Sequence, residues 1–372
     1  MKILNTPYLR LDLDILKKNI YLMQTIANNS KLKLLPHAKT HKCAEIAKLL
    51  IKSGAEGISV AKFEEAIFFM NNGIKLIKIC YPIISEEKIL SLIKKAKILK
   101  AKIFFVIDSE TGFNNLRKIS NKLNLLVNIY IEIDVGFNRC GLNYKNPILS
   151  TLALKIKKSK NIILKGISSH AGFIYEAKNI KEVLKFSEME RLELIKVKKL
   201  FQTKGIDNLD ICIGTTPAAW TQKNYEEITE IKPGNYIFND LIQKNIGVVN
   251  WNQLALSVCA TVISKNKKFL IIDAGSKSLS SDSGAHGSKN LKGYGLGFPI
   301  KMKPNNKNAL IVYRLSEEHG WIKNKNYNIN IGDKIIIYPN HACVVVNLFR
   351  HLKVFKNNKY YKSWQVGARG HS

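Results

Sequence analysis

Lys31-Leu32-Lys33-Leu34-Leu35-Pro36-His37-Ala38-Lys39-Thr40-His41-Lys42 carries the chain out of one element and into the next. Lys31 to Leu35 is an apolar and basic run that reads as a strand. From Cys43 to Ile51 the residues Ala44, Ile46, Ala47, Leu50 and Ile51 return at helical spacing. Lys39 therefore stands where a strand ends and a helix begins, between two histidines and close to Lys42. An amine held among other positive or desolvating groups loses its proton more readily and becomes a nucleophile toward carbonyls. A basic loop in a lysine-rich protein would read the same way from composition alone.

The same strand-then-helix unit recurs from about residue 30 to 240. Strand-like runs lie at Leu32–Leu35, Gly57–Ala61, Leu76–Tyr81, Lys102–Asp108, Leu125–Asp134, Ile162–Ser168, Leu209–Ile213 and Ile228–Lys232. Helical patterns fill 41–52, 62–72, 85–98, 110–121, 147–158 and 178–203. Eight strands alternating with helices predict parallel pairing and an α/β fold, a (β/α)8 barrel of TIM type. A doubly wound open sheet competes, but no GxGxxG fingerprint follows the first strand. After about residue 245 the apolar runs Leu254–Ile263, Phe269–Asp273, Leu310–Tyr313, Lys334–Tyr338 and Val344–Leu348 are separated by Gly, Asn, Lys and Ser turns. The expected division is a barrel over 1–245 and a C-terminal β domain over 246–372.

With 372 residues and 46% hydrophobic content the chain can bury a large core, which excludes disorder. No apolar run approaches the ~20 residues of a membrane span, and Met1 to Tyr8 lacks a secretory signal's apolar core. Cysteines 43, 80, 140, 212, 259 and 343 are widely spaced with no CxxC pair, which suits reduced, buried thiols. A cytoplasmic location is the expectation. The net charge of +31 invites a nucleic-acid reading. Yet the lysines are scattered through every helical pattern and no zinc finger, RNP-like or helix-turn-helix pattern accompanies them, so no specific nucleic-acid function and no membrane partner is expected.

In such a barrel the reactive groups gather at the C-terminal ends of the strands. Reading those ends in order gives Lys39, then Asp134-Val135-Gly136-Phe137-Asn138-Arg139, His170-Ala171-Gly172, Gly214-Thr215-Thr216-Pro217 and Lys232-Pro233-Gly234-Asn235. Gly214 to Thr216 offers N–H groups and two hydroxyls, and Gly234 permits close backbone approach, so the two turns could cradle a phosphate. Each turn alone is an ordinary connector. Together with a nucleophilic Lys39 they fit a phosphorylated aldehyde cofactor.

Thr6-Pro7 with Leu11-Asp12-Leu13-Asp14, the run Pro36 to Lys42, Asp134-Val135-Gly136 with Arg139-Cys140-Gly141, Pro233-Gly234-Asn235-Tyr236, Asp273-Ala274-Gly275, Ser316-Glu317-Glu318-His319-Gly320 and Pro339-Asn340-His341-Ala342-Cys343 follow one another along nearly the whole chain. In that order they resemble the D-serine dehydratase/D-threonine aldolase family, pyridoxal 5'-phosphate enzymes on the alanine-racemase barrel (fold type III). The resemblance implies a lyase acting on D-3-hydroxy amino acids and working as a homodimer. Lys39 would bind the cofactor as a Schiff base, Arg139 would contact its phenolic oxygen, and Gly214, Thr215, Thr216, Gly234 and Asn235 would hold its phosphate. His341 and Cys343 would be the two protein ligands of a divalent metal, zinc ahead of manganese. Tyr175 matches a tyrosine near the substrate in the dehydratase branch, and His170 is the histidine closest to the place of an aldolase base.

The residues lend the metal pair independent support. Read as part of a strand, His341 and Cys343 at i and i+2 share a face, and a thiolate with an imidazole favours zinc over magnesium. An isolated histidine and a buried cysteine in a β core would carry the same letters. Cys343 stands where the family's aldolases commonly have Asp, so Cys343 and Tyr175 lean toward dehydration to a 2-oxo acid and ammonia. The tail Trp364-Gln365-Val366-Gly367-Ala368-Arg369-Gly370 looks more like the aldolase branch, which releases glycine and an aldehyde. Lys232 departs from the arginine that precedes this Pro-Gly in alanine racemases. A racemase and a non-catalytic cofactor carrier are the alternatives; a carrier has no use for the β domain or the metal pair. His319, in the Ser-Glu-Glu-His-Gly run, is expected near the site, while His286 and His351 receive no role.

Overall fold

The computed structural model describes residues 4–282, 284, 291–324 and 328–370. Eight parallel strands run in sequence order, from Lys33–Leu34, Ile58–Val60, Leu76–Pro82 and Lys102–Ile107 to Val127–Asp134, Ile162–Ser169, Asp210–Ile213 and Glu230–Ile231. The last pairs with the first through Glu230↔Lys33 and Ile231↔Leu34. The first meets the second at the parallel bridge His37↔Ser59, backed by Ser59 N–H donating to Pro36 O at 2.9 Å. The sheet is therefore a closed (β/α)8 barrel, as the alternation predicts.

The helices between these strands start and stop on local signals. Ser85 and Ser109 accept the N–H groups of Lys88 and Gly112 at the starts of Glu86–Leu99 and Glu110–Leu123. Both helices end on left-handed residues, Lys100 and Asn124. Asn146 caps Pro147–Lys157, with the proline in the first turn where its missing N–H costs nothing. Their apolar faces close on a core in which Ile79, Ile107, Phe113, Ile129 and Leu152 are buried. A charged group also lies inside the barrel: Lys78 is ion-paired with Glu230, and its ammonium sits 3.4 Å from the Tyr130 ring centroid. Removing either partner would leave an uncompensated buried charge.

The second sheet has nine strands. Phe269–Ile272 pairs with both Gly320–Lys323 and Leu256–Lys265, which closes six antiparallel strands into a small barrel. Tyr8–Asp12 is not part of the α/β barrel. It lies between Leu256–Lys265 and His351–Lys356 in this second sheet, with Leu9 and Leu11 fully buried. Asp12 then caps Leu13–Asn29, a helix that returns the chain to the first barrel strand. Among the described residues no helix is long and apolar enough to cross a membrane, and all six cysteines are free thiols.

One expectation fails. Val344–Leu348 reads as a strand, but Ala342–Leu348 is a helix with His341 at its N-cap. Ala342, Val345 and Val346 are its buried residues, at i, i+3 and i+4. Packing of that face overrides the β preference of a Val-Val-Val run.

Candidate active site

The run that opens the barrel folds as a single turn of 3₁₀ helix, Ala38–Thr40, before Ala44–Lys52 begins. His37 Nδ1 accepts the Lys39 N–H at 3.4 Å, and His41 Nδ1 accepts the Cys43 N–H at 3.1 Å. Burial holds both imidazoles neutral, His37 well below its ordinary pKa and His41 at about 3. Lys42 turns to Glu65, 3.4 Å away. The histidines are neutral and Lys42 is paired, so the lowered pKa expected for Lys39 does not come from the charges of these neighbours. Burial of Lys39 is the largest cause of its lowered pKa; the Cys343 sulfur opposes it and the Arg139 guanidinium reinforces it.

Lys39 faces a cavity of about 390 Å³ at the C-terminal ends of the barrel strands. Arg139, His170, Tyr175, Gly214 and Thr215 line it from the barrel side. Gly234 and Asn235 lie beside them, and His341 and Cys343 close it from the second domain. Asp134 Oδ1 accepts the N–H groups of Gly136, Phe137 and Asn138 at 2.9–3.0 Å, shaping the turn that presents Arg139. His170 Nδ1 donates to the Gly214 carbonyl at 3.1 Å, since a carbonyl can only accept, and its ring meets Phe137 edge-on. The Tyr175 hydroxyl accepts the Thr216 N–H at 3.3 Å, and burial keeps its proton on.

Thr216 is the one residue of the expected site that stands behind the cavity wall. Its Oγ1 accepts the Asn235 N–H at 3.0 Å, so it joins the two candidate phosphate turns. Between them, Thr215 Oγ1 is buried without a hydrogen-bond partner among the described residues. A Cβ on Gly234 would come within 2.7 Å of Thr40 Oγ1, and one on Gly214 within 2.5 Å of Lys232 Cγ. Two glycine turns, an orphan hydroxyl and nearby cations fit an anionic group such as a phosphate. Lys232 is spent elsewhere: its ammonium donates to Ser168 Oγ at 2.6 Å and Ser169 O at 2.7 Å.

At the opposite wall His341 Nδ1 lies 2.8 Å from Asp282 Oδ2, and the imidazole also hydrogen-bonds the Cys343 thiol. Cys343 Sγ is 3.3 Å from Thr40 Oγ1. Burial opposes ionisation of the Cys343 thiol, but His341, Thr40 and Lys39 outweigh it and hold the thiol below its ordinary value. Among the described residues no cluster of three or more His, Cys, Asp or Glu side chains is placed to hold an ion. The two residues converge because His341 stands at the N-cap position of the helix that Cys343 enters, and not because they alternate along a strand.

The profile of the alanine racemase N-terminal domain matches residues 11–241, and that of a serine dehydratase domain matches residues 255–355. The chain belongs to the D-serine dehydratase/D-threonine aldolase family of pyridoxal-phosphate lyases. Within that family it is 26% identical to the D-threo-3-hydroxyaspartate dehydratase of Delftia sp. strain HT23, over 97% of each chain. The solved structure of that enzyme covers 99% of this chain and 98% of its own at a TM-score of 0.91. The D-threonine aldolase of Arthrobacter sp. is 26% identical over 99% of this chain and 93% of its own. The D-serine dehydratase of Dictyostelium discoideum is 26% identical over 95% and 94%.

One further site expectation changes. His319 lies in an exposed turn between Leu310–Leu315 and Gly320–Lys323 and does not line the cavity; His286 is outside the described residues. Gln243 does line it, unforeseen. Its Oε1 accepts the Asp240 N–H and the Asn235 amide, each at 3.2 Å, which fixes Nε2 as a buried donor without a partner among the described residues. The Asp-x-x-Gln spacing of a capping box at 240–243 was its only signal in the sequence.

Proposed function

We propose that this family member is a metal-assisted dehydratase of D-3-hydroxy amino acids, giving a 2-oxo acid and ammonia. The observation that carries the reading is Cys343 beside His341 at the cavity that also contains Lys39. Solved variants of a D-threo-3-hydroxyaspartate dehydratase support it: one replaces a histidine by alanine, and another, metal-free, replaces a cysteine two positions further on. His341 and Cys343 have that spacing.

Lys39 would hold the cofactor covalently, favoured by an amine that burial keeps easily deprotonated. Thr215, Gly214 and Gly234 would hold the phosphate, with Asn235 and Thr216 fixing the turns. Bound pyridoxal phosphate supplies the electron sink for the α-carbon, and bound zinc the Lewis acid for the 3-hydroxyl. Lys39 Nζ would take the α-proton of the substrate. His341 and Cys343 would hold the metal, with Asp282 fixing the imidazole. A D-threonine aldolase is the second reading; it is favoured by His170, which lines the cavity and could accept a hydroxyl proton.

The test is a product assay on the purified, cofactor-loaded protein with D-serine, D-threo-3-hydroxyaspartate and D-threonine. Keto acid and ammonia are expected; glycine and an aldehyde instead would overturn dehydration in favour of cleavage. Borohydride should fix the cofactor on the Lys39 peptide, and Lys39→Ala should lose both that label and turnover. A label on another lysine would remove Lys39 from its role.

A further inference from the structure

Asp240 carries none of the sequence signals of the site, yet it stands where the two halves of the cavity meet. It is 1% exposed, and it caps Leu241–Ile246 by accepting the Ile242 N–H on Oδ1 at 3.1 Å. Its other oxygen, Oδ2, accepts Asn235 Nδ2 at 2.6 Å and the Ala342 backbone N–H at 2.9 Å. Asn235 belongs to the turn after the eighth barrel strand. Ala342 separates His341 from Cys343, at the far end of the chain. One buried carboxylate oxygen therefore ties the turn proposed for the phosphate to the pair proposed for the metal. Hydrogen bonds to a buried carboxylate are among the stronger ones, and losing one leaves a desolvated group unpaired.

We propose that Asp240 is a positioning residue that couples the two subsites, so that filling either one organises the other. The inference rests on the function proposed above. A ligand that steadies His341 and Cys343 holds the Ala342 N–H on Oδ2 and so leaves that oxygen placed for Asn235. A ligand in the phosphate turn acts in reverse through Asn235. Binding linkage is reciprocal, so each ligand must tighten the other by the same factor. A residue that merely supported the fold would weaken both sites and leave that factor unchanged.

Four dissociation constants test this on the full chain: pyridoxal phosphate with and without zinc, and zinc with and without pyridoxal phosphate. They are compared between the natural protein and Asp240→Asn, with circular dichroism as the check on folding. The natural protein should show mutual tightening of about tenfold or more, and Asp240→Asn should lose about tenfold of it, equally from either side. If the natural protein binds neither ligand, the functional reading fails and the coupling with it. If both bind without mutual effect, or Asp240→Asn keeps the full factor, only the coupling is overturned. Should Asp240→Asn not fold, Asp240→Glu keeps the charge and displaces the oxygen by one methylene. Coupling at the natural strength in that variant overturns the proposal, and reduced coupling upholds it.

Discussion

At the level of single residues, the chemistry of the opening run comes from burial more than from its neighbours' charges. Lys39 was conspicuous in the sequence because of its basic company, but His37 and His41 are neutral and engaged with the backbone. His41 has a cost that can be measured. Folded, burial keeps it unprotonated down to about pH 3, whereas unfolded it takes a proton near its ordinary 6.5. Between those limits the unfolded chain binds more protons, so stability falls as the pH drops through the window. His41→Gln, which keeps an acceptor for the Cys43 N–H, should lose about 2 kcal/mol less than the natural protein between pH 7 and pH 5. Urea titrations at the two pH values read the difference, and equal acid losses would show that His41 is not the group responsible. Gln243 shows the limit of letters in a row: its donor matters only because Asp240 and Asn235 hold the other end of the amide.

At the level of elements, the alternation of periods was sufficient to place the barrel strands within a few residues, because buried parallel strands and amphipathic helices differ over many positions. A short element offers no such averaging. Val344-Val345-Val346 has a strand's composition and a helix's contacts, and only the packing of Ala342, Val345 and Val346 against the core decides between them. The turns at the barrel mouth are similarly decided by neighbours. Gly234 has no left-handed backbone to explain it; it is needed because Thr40 Oγ1 and the His37 carbonyl would lie 2.7 and 3.0 Å from a Cβ. Gly234→Ala should therefore destabilise the protein by about 1–3 kcal/mol, as other overpacked sites do, and should weaken pyridoxal phosphate binding. Denaturant unfolding and a cofactor titration check the two effects. Unchanged values in both would mean that the turn has room and does not shape the cavity.

At the level of the whole molecule, the two sheets are interlocked by the chain's first strand. Tyr8–Asp12 precedes the barrel in sequence but sits inside the second sheet, antiparallel to Leu256–Lys265 and parallel to His351–Lys356. Neither half can be detached without exposing that strand's buried leucines, so unfolding should be a single cooperative event. Trp220 lies beside the barrel and Trp364 in the last strand of the second sheet. Variants retaining only one or the other tryptophan should give the same urea midpoint by fluorescence; two separated transitions would show that the sheets unfold independently. The sequence alone determined the succession of strands and helices and the family, and it singled out Lys39 as the candidate for the proposed amine, since these depend on local period and on motifs read in order. Only the tertiary structure decided that Thr216 stands behind the wall, that His319 lies outside the cavity, and that Asp240 bridges residues 235 and 342. Those facts depend on which distant segments meet, and hydrophobic burial and barrel closure, not any local pattern, bring them together.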